Sequence, residues 1–100
     1  MRKVVWTDEA RSELRSAITY IAKDSPPAAR LVRQRLTHAV EQLAESPIGR
    51  SGRVKGTYEK TVRRTSHIVA YALSDQAITI LHIIHAKRDW PEGAWPEEER

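Results

Sequence analysis

Histidines are the side chains of this chain that can exchange a proton near neutral pH, and two of the four stand close together near its end. The stretch HIIHAKRDWP, residues 82–91, places His82 and His85 beside a lysine, an arginine, an aspartate and a tryptophan. An imidazole beside cations offers the groups that acid–base chemistry on a phosphate ester needs. The other histidines are His38 and His67.

No motif for a metal, a cofactor or a nucleophile accompanies these histidines. The sequence has no histidine pair at helical spacing beside an acid, no glycine-rich phosphate loop and no serine in a nucleophile elbow. It also has no cysteine, which excludes a disulfide framework and a thiolate site. His82 and His85 lie three apart on a predicted strand, so they point to opposite faces. We expect no cofactor and no metal, and satisfied structural roles compete with catalytic ones for both residues.

Cations dominate the region that follows the predicted helices. On paired strands alternate residues share a face, so several of these cations could line one basic surface beside Lys87 and Arg88. A solvated face explains the same residues equally well, whereas a phosphate-binding surface would lose affinity steeply with salt. This region contains one acid, Glu59, and six cations: Arg50, Arg53, Lys55, Lys60, Arg63 and Arg64.

The net charge of +4 is unevenly distributed along 100 residues. Up to Arg88 there are sixteen Lys and Arg against eight Asp and Glu, whereas Asp89–Arg100 holds five acids against one arginine. The basic part favours an acidic partner, either nucleic acid or an acidic protein segment. The length predicts one domain, residues 1–90, followed by an acidic tail with proline and tryptophan, Pro91–Arg100. Without a long apolar stretch or an apolar signal region, we expect a soluble cytoplasmic protein.

The N-terminal half predicts a strand and two helices. Lys3–Trp6 is short, β-branched and aromatic, which is typical of a strand. Thr7 or Asp8 then caps a helix that ends near Lys23, and Ser25 before two prolines caps a second helix. Each helix carries one apolar stripe, and the short connection makes them an antiparallel hairpin.

The C-terminal half predicts four strands, because the apolar period falls to about 2 after Gly52. RVKGTYEKTVRR indicates two strands with a turn at Gly56, while HIVAYAL and ITILHIIH indicate two more joined at SDQA. The order β-α-α-β-β-β-β buries both helical stripes only if the hairpin lies on one face of a mainly antiparallel sheet, an α+β sandwich of two layers. One face of the first pair would carry Val54, Tyr58, Lys60 and Val62.

The order of these elements and several local strings resemble the RelE/ParE superfamily of toxins from bacterial type II toxin–antitoxin pairs. The resemblance covers roughly residues 3–91. It is carried by WTDEARSELRSAITYIAKDSPPAARLVRQRL, LAESPIGRSGRVKGTYEKTV, HIVAYAL and ILHIIHAKRDWP. It implies a small α+β toxin that a cognate antitoxin wraps and neutralises. RelE-like members cut messenger RNA on the ribosome, whereas ParE-like members poison DNA gyrase.

The RelE-like alternative makes this chain an endoribonuclease. RelE-like enzymes place basic residues along the middle strands, but here two of those lysine positions fall on Glu59 and Thr61. Arg63 and Arg88 do match basic positions of the family. Other RNA-cutting relatives use a histidine at the end of the last strand.

Under that alternative His85 is the acid or base, and Arg63 and Arg88 bind the phosphate. Glu45 or Glu59 is its partner.

The ParE-like alternative is favoured, because HIVAYAL and HAKRDWP look more like that branch. It implies gyrase inhibition without catalysis and without a cofactor. The region after the last strand is then a binding surface and a strand terminus, with Trp90 packed on the sheet edge. The residues assigned to target binding are Arg63, Arg64, Lys87, Arg88 and Trp90.

The resemblance also implies a tight complex with the antitoxin, a heterotetramer or larger. An acidic antitoxin segment could lie along the helices near Arg11 and Arg15, or add to a sheet edge near Arg53 and Lys55. A third alternative is a member that has lost toxicity and survives as an antitoxin-binding module. The acidic tail, Pro91–Arg100, motivates it because the tail could cover the basic surface.

Overall fold

The chain forms two helices and five strands in the predicted order, in a computed structural model that describes residues 1–86. The expectations for Lys87, Arg88, Trp90 and the tail fall outside the described residues. No helix within residues 1–86 is both long and apolar enough to cross a membrane. In chain order the elements are β1 (Lys3–Trp6), α1 (Asp8–Asp24), α2 (Pro26–Glu45), β2 (Arg50–Ser51), β3 (Tyr58–Thr61), β4 (His67–Leu73) and β5 (Ala77–His85).

Side-chain caps set the beginnings of both helices, as the sequence predicts. The hydroxyl of Thr7 accepts a hydrogen bond from the amide of Ala10 at 3.1 Å, and Ser25 does the same for Ala28 at 3.2 Å. The amide of Ser25 also donates to the carbonyl of Ile21 at 3.0 Å, which ends α1. Ser25 therefore closes one helix and opens the next, and α2 folds back against α1.

The five strands form one mixed sheet in the order β1-β5-β4-β3-β2. β1 runs parallel to β5, whereas the other neighbours are antiparallel, so the prediction of a mainly antiparallel sheet is confirmed. In β5 the register jumps, because Ala70 pairs with His82 while Tyr71 pairs with Ile80. Leu81 is therefore an extra residue, a β-bulge that increases the local twist of β5.

The main core lies between the helical hairpin and one face of the sheet, as the two-layer prediction requires. The stripe of α2 supplies Leu36, Val40 and Leu43, all at most 2% exposed. Trp6 and Leu14 pack at its margin. Removing this apolar surface from water is the main driving force for the two-layer arrangement. The sheet contributes Val62, Val69, Tyr71, Ile78, Ile80 and Ile83.

A second, smaller cluster lies on the other face of the sheet and consists of Val54, Ala70 and Ile84. The prediction that Val54 shares a face with Tyr58 and Val62 is therefore wrong, since those two residues belong to the helix side. The reason is that the first strand of this pair is Arg50–Ser51 and not the predicted stretch after Gly52, since residues 53–57 form the turn between β2 and β3. The amide and the hydroxyl of Thr57 both donate to the carbonyl of Val54, at 3.0 and 2.6 Å.

Gly56 allows this turn, because its φ of +85° lies in the left-handed region that side chains disfavour.

Candidate functional site

A groove of about 680 Å³ lies between α1, the beginning of β4 and the end of β5. Its helix wall carries small residues and the exposed ring of Tyr20, and its sheet wall carries the residues of the β3–β4 turn. A hollow of this size is in the range that holds small ligands or inserted side chains. The lining residues are Ser12, Glu13, Ser16, Ala17, Tyr20, Ile21, Val32, Arg64, Thr65, Ser66, His67, Ile83, Ile84 and His85.

His67 and His85 meet on the sheet wall of this groove. The two residues are opposite each other in the β4–β5 register, and their ring centroids lie 5.3 Å apart in an edge-to-face arrangement. His67 is buried and His85 is half-buried. The pairing of β4 with β5 thus places His85, the histidine of the nuclease alternative, against the imidazole of His67. Arg64 lines the same groove. Sequence spacing alone gave His67 no partner.

Arg64 sits in a strained turn between β3 and β4. Its φ of 63° is the only positive value at a non-glycine residue within residues 1–86. The guanidinium of Arg35, on α2, donates to the carbonyl of Arg64 at 3.1 Å and holds the turn against the helices. The hydroxyl of Thr65 donates to the carbonyl of Val62 at 2.8 Å. Strain of this kind persists where the surroundings impose it, and it concentrates at functional sites.

Glu13 projects from α1 to the edge of β5. Its carboxylate oxygens lie 3.0 and 3.2 Å from Nδ1 of His82, and one of them accepts the amide hydrogen of Ile83 at 2.9 Å. β1 ends at Trp6, so within residues 1–86 no strand pairs with this part of β5 on that side. Glu13 supplies an acceptor here and holds the buried His82 against α1.

Glu59 organises a separate basic cluster on the other face of the sheet. It is 4% exposed and accepts the backbone amide of Arg53 at 2.9 Å. The guanidinium groups of Arg53 and Arg50 lie 3.5 and 3.8 Å from its carboxylate. Desolvation lowers the pKa of Arg53 from its usual value, and the charge of Glu59 acts in the opposite direction. The carboxylate thus contacts both β2, through Arg50, and the loop that follows it, through Arg53.

Tyr71 fixes the residue that precedes β2, Gly49. Its hydroxyl accepts the amide of Gly49 at 2.8 Å, and its ring stacks on Tyr58 with centroids 5.6 Å apart. Burial raises the pKa of the Tyr71 phenol, and the hydrogen bond from Gly49 partly opposes this shift. A Cβ at Gly49 would lie 2.2 Å from the Tyr71 hydroxyl, so the close approach requires glycine.

The predicted basic surface is divided between the two ends of β3. Arg53 and Lys55 precede the strand and are exposed beside the β2–β3 turn, whereas Arg63 and Arg64 are exposed in the turn that follows it. Lys60 lies on β3, half-buried, opposite Val69. The cations therefore offer two separate patches. The antitoxin candidates on the helix side, Arg11 and Arg15, are exposed on α1 as expected.

The proposed nuclease groups do not converge. Glu59 pairs with Ala70, a member of the cluster on the far face, whereas His85 pairs with His67 on the face that carries Val69. Glu45, the other partner considered, is exposed at the end of α2. Neither carboxylate is placed to assist His85.

Two residues of the groove were not recognised in the sequence. Glu13 reads as an ordinary polar residue of α1, since its partner His82 is 69 residues away. His67 reads as an isolated histidine until the register places it opposite His85. His38 is exposed on α2, apart from the groove. Within the described part of the chain, no three histidine or acidic side chains come together as a metal site.

Comparisons with solved structures give the same architecture. The fold matches a chain of the chromosomal ParDE toxin–antitoxin system from P. aeruginosa with a TM-score of 0.78, at 23% identity over 87% of this chain and 98% of that chain. It also matches a chain of the RelBE2 toxin–antitoxin complex from Mycobacterium tuberculosis with a TM-score of 0.57, at 25% identity over 86% and 93%. The two-layer fold is therefore that of ParE and RelE proteins.

Sequence relatives and a family model then assign the chain. A protein named "Putative toxin Y4kP" from Sinorhizobium fredii is 38% identical over 91% of this chain and 95% of its own length. A protein named "Toxin RelE2" from Caulobacter vibrioides is 34% identical over 88% of this chain and 99% of its own length. Residues 4–90 match the model of the ParE toxin of the type II toxin–antitoxin system parDE. The chain belongs to the ParE toxin family and is a type II toxin of the ParE/RelE superfamily.

Proposed function

We propose that this toxin inhibits DNA gyrase in the manner of ParE-like proteins and is neutralised by a cognate antitoxin. The observation that carries the proposal is the match of residues 4–90 to the ParE family model. The separation of the cations into two exposed patches supports it. An inhibitor that binds its target without cleaving it needs exposed cations, but it does not need an acid and a base that meet. The proposal places the protein in the cytoplasm and assigns it no cofactor.

Arg63 and Arg64 are the described residues assigned to the gyrase contact. Both are exposed in one turn, and Arg64 is held there by the bond from Arg35. Because the backbone of this turn is already held, it loses little backbone entropy when its cations bind a target. Lys87, Arg88 and Trp90, assigned to the same contact, lie outside the described residues.

A ribosome-dependent messenger RNA endonuclease is the second candidate. The similarity to the protein named "Toxin RelE2" favours it, as does the contact between His67 and His85 beside Arg64. Two imidazoles near a guanidinium are residue types that could move protons and hold a phosphate. In this reading His85, Arg63 and Arg88 are catalytic, and His67 replaces Glu59 as the partner of His85.

The antitoxin is proposed as a tight partner, in a heterotetramer or larger assembly. The two structural matches belong to toxin–antitoxin systems, which supports a partner of this kind. Arg11 and Arg15 on α1 and Arg53 and Lys55 beside the β2–β3 turn are its two candidate contact surfaces. A chain that kept only this interaction would be a binding module without toxicity.

Two assays run in parallel test the target. Purified gyrase is followed for supercoiling and for accumulated cleaved DNA, and a programmed ribosome is followed for cleavage of its message. Gyrase inhibition with intact message is the expected result. Cut message with unaffected gyrase would overturn the proposal in favour of the nuclease, and inactivity in both assays with antitoxin binding retained would favour the binding module.

Matched variants connect the outcome to the site. Replacing both Arg63 and Arg64 with alanine should weaken gyrase inhibition about tenfold or more, since a hydrogen bond to a charged group contributes about 1.5–3 kcal/mol. Lys55→Ala is the control, because Lys55 is an exposed cation at the other end of β3. His85→Gln should leave gyrase inhibition within about twofold of the native protein. A loss of message cleavage both in this variant and in the Arg63 and Arg64 variant, with Lys55→Ala unaffected, would support the nuclease.

A further inference from the structure

The groove has a partly apolar wall that faces open space within residues 1–86. Ile21, Val32 and Ile83 line it, and Tyr20, 63% exposed, stands at its helix wall. A contiguous apolar surface in a groove, rimmed by polar residues, is typical of a docking surface. The groove therefore calls for an occupant with an apolar side chain.

The chain itself leaves the described part of the structure at the rim of this groove. His85, the last residue of β5, lines the groove, and the amide of the next residue, Ala86, donates to the carbonyl of Ser66 at 2.7 Å. Ser66 is also a lining residue. The segment that follows Ala86 thus starts at the groove, fixed by a backbone hydrogen bond.

The length and composition of that segment suit the groove. Trp95 is nine residues beyond Ala86, a reach of about 30 Å when extended. The helix wall from Ser12 to Tyr20 measures only about 12 Å along α1. The tail Pro91–Arg100 also has two prolines, which lower the entropy that an extended segment loses on docking.

The charges around the groove are complementary to the tail. Pro91–Arg100 carries four glutamates against one arginine. Arg64 lies in the groove, and an adjoining hollow on α1 that shares Ser12, Ser16 and Tyr20 is lined by Arg15 and Lys23. The acid among the groove residues, Glu13, is held by His82 and Ile83.

We infer that the tail Pro91–Arg100 docks into the groove of its own chain, with Trp95 among the apolar residues and the glutamates toward Arg15, Lys23 and Arg64. The tail lies beyond residues 4–90, which match the ParE family, so this contact belongs to the individual chain. Any partner that uses the groove must first displace the tail. The inference holds whether the target is gyrase or the ribosome.

A spin label on the full-length protein tests the contact directly. The chain has no cysteine, so Ala94→Cys accepts a nitroxide label at one site. Docking should attenuate the amide signals of groove residues such as Tyr20 and His67, and leave Gly56 at the opposite end of β3 unaffected. Adding Trp95→Ala to the labelled protein should restore the groove signals.

Three outcomes would overturn the inference. Unattenuated groove signals would show that the tail stays away from the groove, and attenuation centred on Gly56 would place it elsewhere. Attenuation in isotope-labelled, spin-free protein mixed with spin-labelled protein would show that a second copy supplies the tail. The same samples are also checked for a folded spectrum and for gyrase inhibition. If both are intact, a negative result concerns the docking of the tail and not the proposed gyrase target.

Discussion

The carboxylate of Glu13 lies 2.9 Å from the amide nitrogen of Ile83, at the edge of β5 where β1 has ended. The same group contacts Nδ1 of His82 at 3.0 Å. One side chain of α1 thus accepts the backbone hydrogen bond that a neighbouring strand would otherwise accept at this point. It links the wall of the groove to the helix opposite.

Replacing Glu13 with alanine should lower the free energy of unfolding by about 1–3 kcal/mol, the cost of leaving buried polar groups without a partner. Glu13→Gln should cost less, because its amide oxygen can still accept the Ile83 hydrogen. Urea unfolding measures both. Glu41→Ala, an exposed acid on α2, is the control and should stay within about 0.5 kcal/mol of the native protein. Equal losses in all three variants would remove the special role of Glu13.

Glu59→Gln should loosen β2, which carries Arg50, and the loop after it, which carries Arg53. The neutral amide keeps an acceptor for the Arg53 amide but loses both ion pairs, which lie 3.5 and 3.8 Å away. Because both arginines remain solvated, the cost should be near the low end of about 1–3 kcal/mol. Hydrogen exchange at the Arg53 amide should accelerate. Unchanged exchange with unchanged stability would show that Glu59 does not organise the loop.

Tyr71 should make stability fall at alkaline pH. Its pKa is raised in the folded protein by burial, so its contribution is complete below the ordinary tyrosine pKa and is lost as pH rises through the folded pKa. Tyr71→Phe should remove that part of the alkaline slope and cost about 1 kcal/mol at neutral pH through the unpaired Gly49 amide. Denaturant unfolding across alkaline pH measures both effects. An identical slope in the variant would contradict the assignment.

Two substitutions at Arg64, which has a left-handed conformation, should separate the effect of backbone strain from the effect of charge. Arg64→Gly and Arg64→Ala both remove the guanidinium, but only glycine adopts a φ of 63° at little cost. The glycine variant should be more stable than the alanine variant by about 1 kcal/mol. Both should lose gyrase inhibition to a similar degree. Equal stability of the two variants would show that the turn relaxes when the side chain is removed.

Charge reversal in pairs should identify the antitoxin surface. Arg11 and Arg15 lie on α1, whereas Arg53 and Lys55 flank the β2–β3 turn, so the two pairs test different faces. Changing the true pair to glutamate should weaken the complex about tenfold or more at low salt, and less at high salt. Lys55→Glu is tested alone as well, because Arg53→Glu would place a second acid beside Glu59. Retained affinity in every variant would exclude both surfaces.

Local rules were sufficient for most elements of the fold. Thr7 and Ser25 cap the helices through hydrogen bonds to residues three positions away, which sequence patterns register directly. Val54 was placed on the wrong face because strict alternation does not survive the turn at Gly56. The contacts of the groove depend on register between distant segments, as for Glu13 and His82, and no local pattern encodes that register.

The parallel pairing of β1 with β5 has a consequence for the order in which the toxin is made. The hydroxyl of Thr7 donates to the carbonyl of Leu81 across 74 residues, so the first and the last strand of the described residues pair with each other. Until β5 emerges, the apolar stripes of the hairpin have no complete sheet to cover them. The two-layer core can therefore close only after β5 is available to pair with β1.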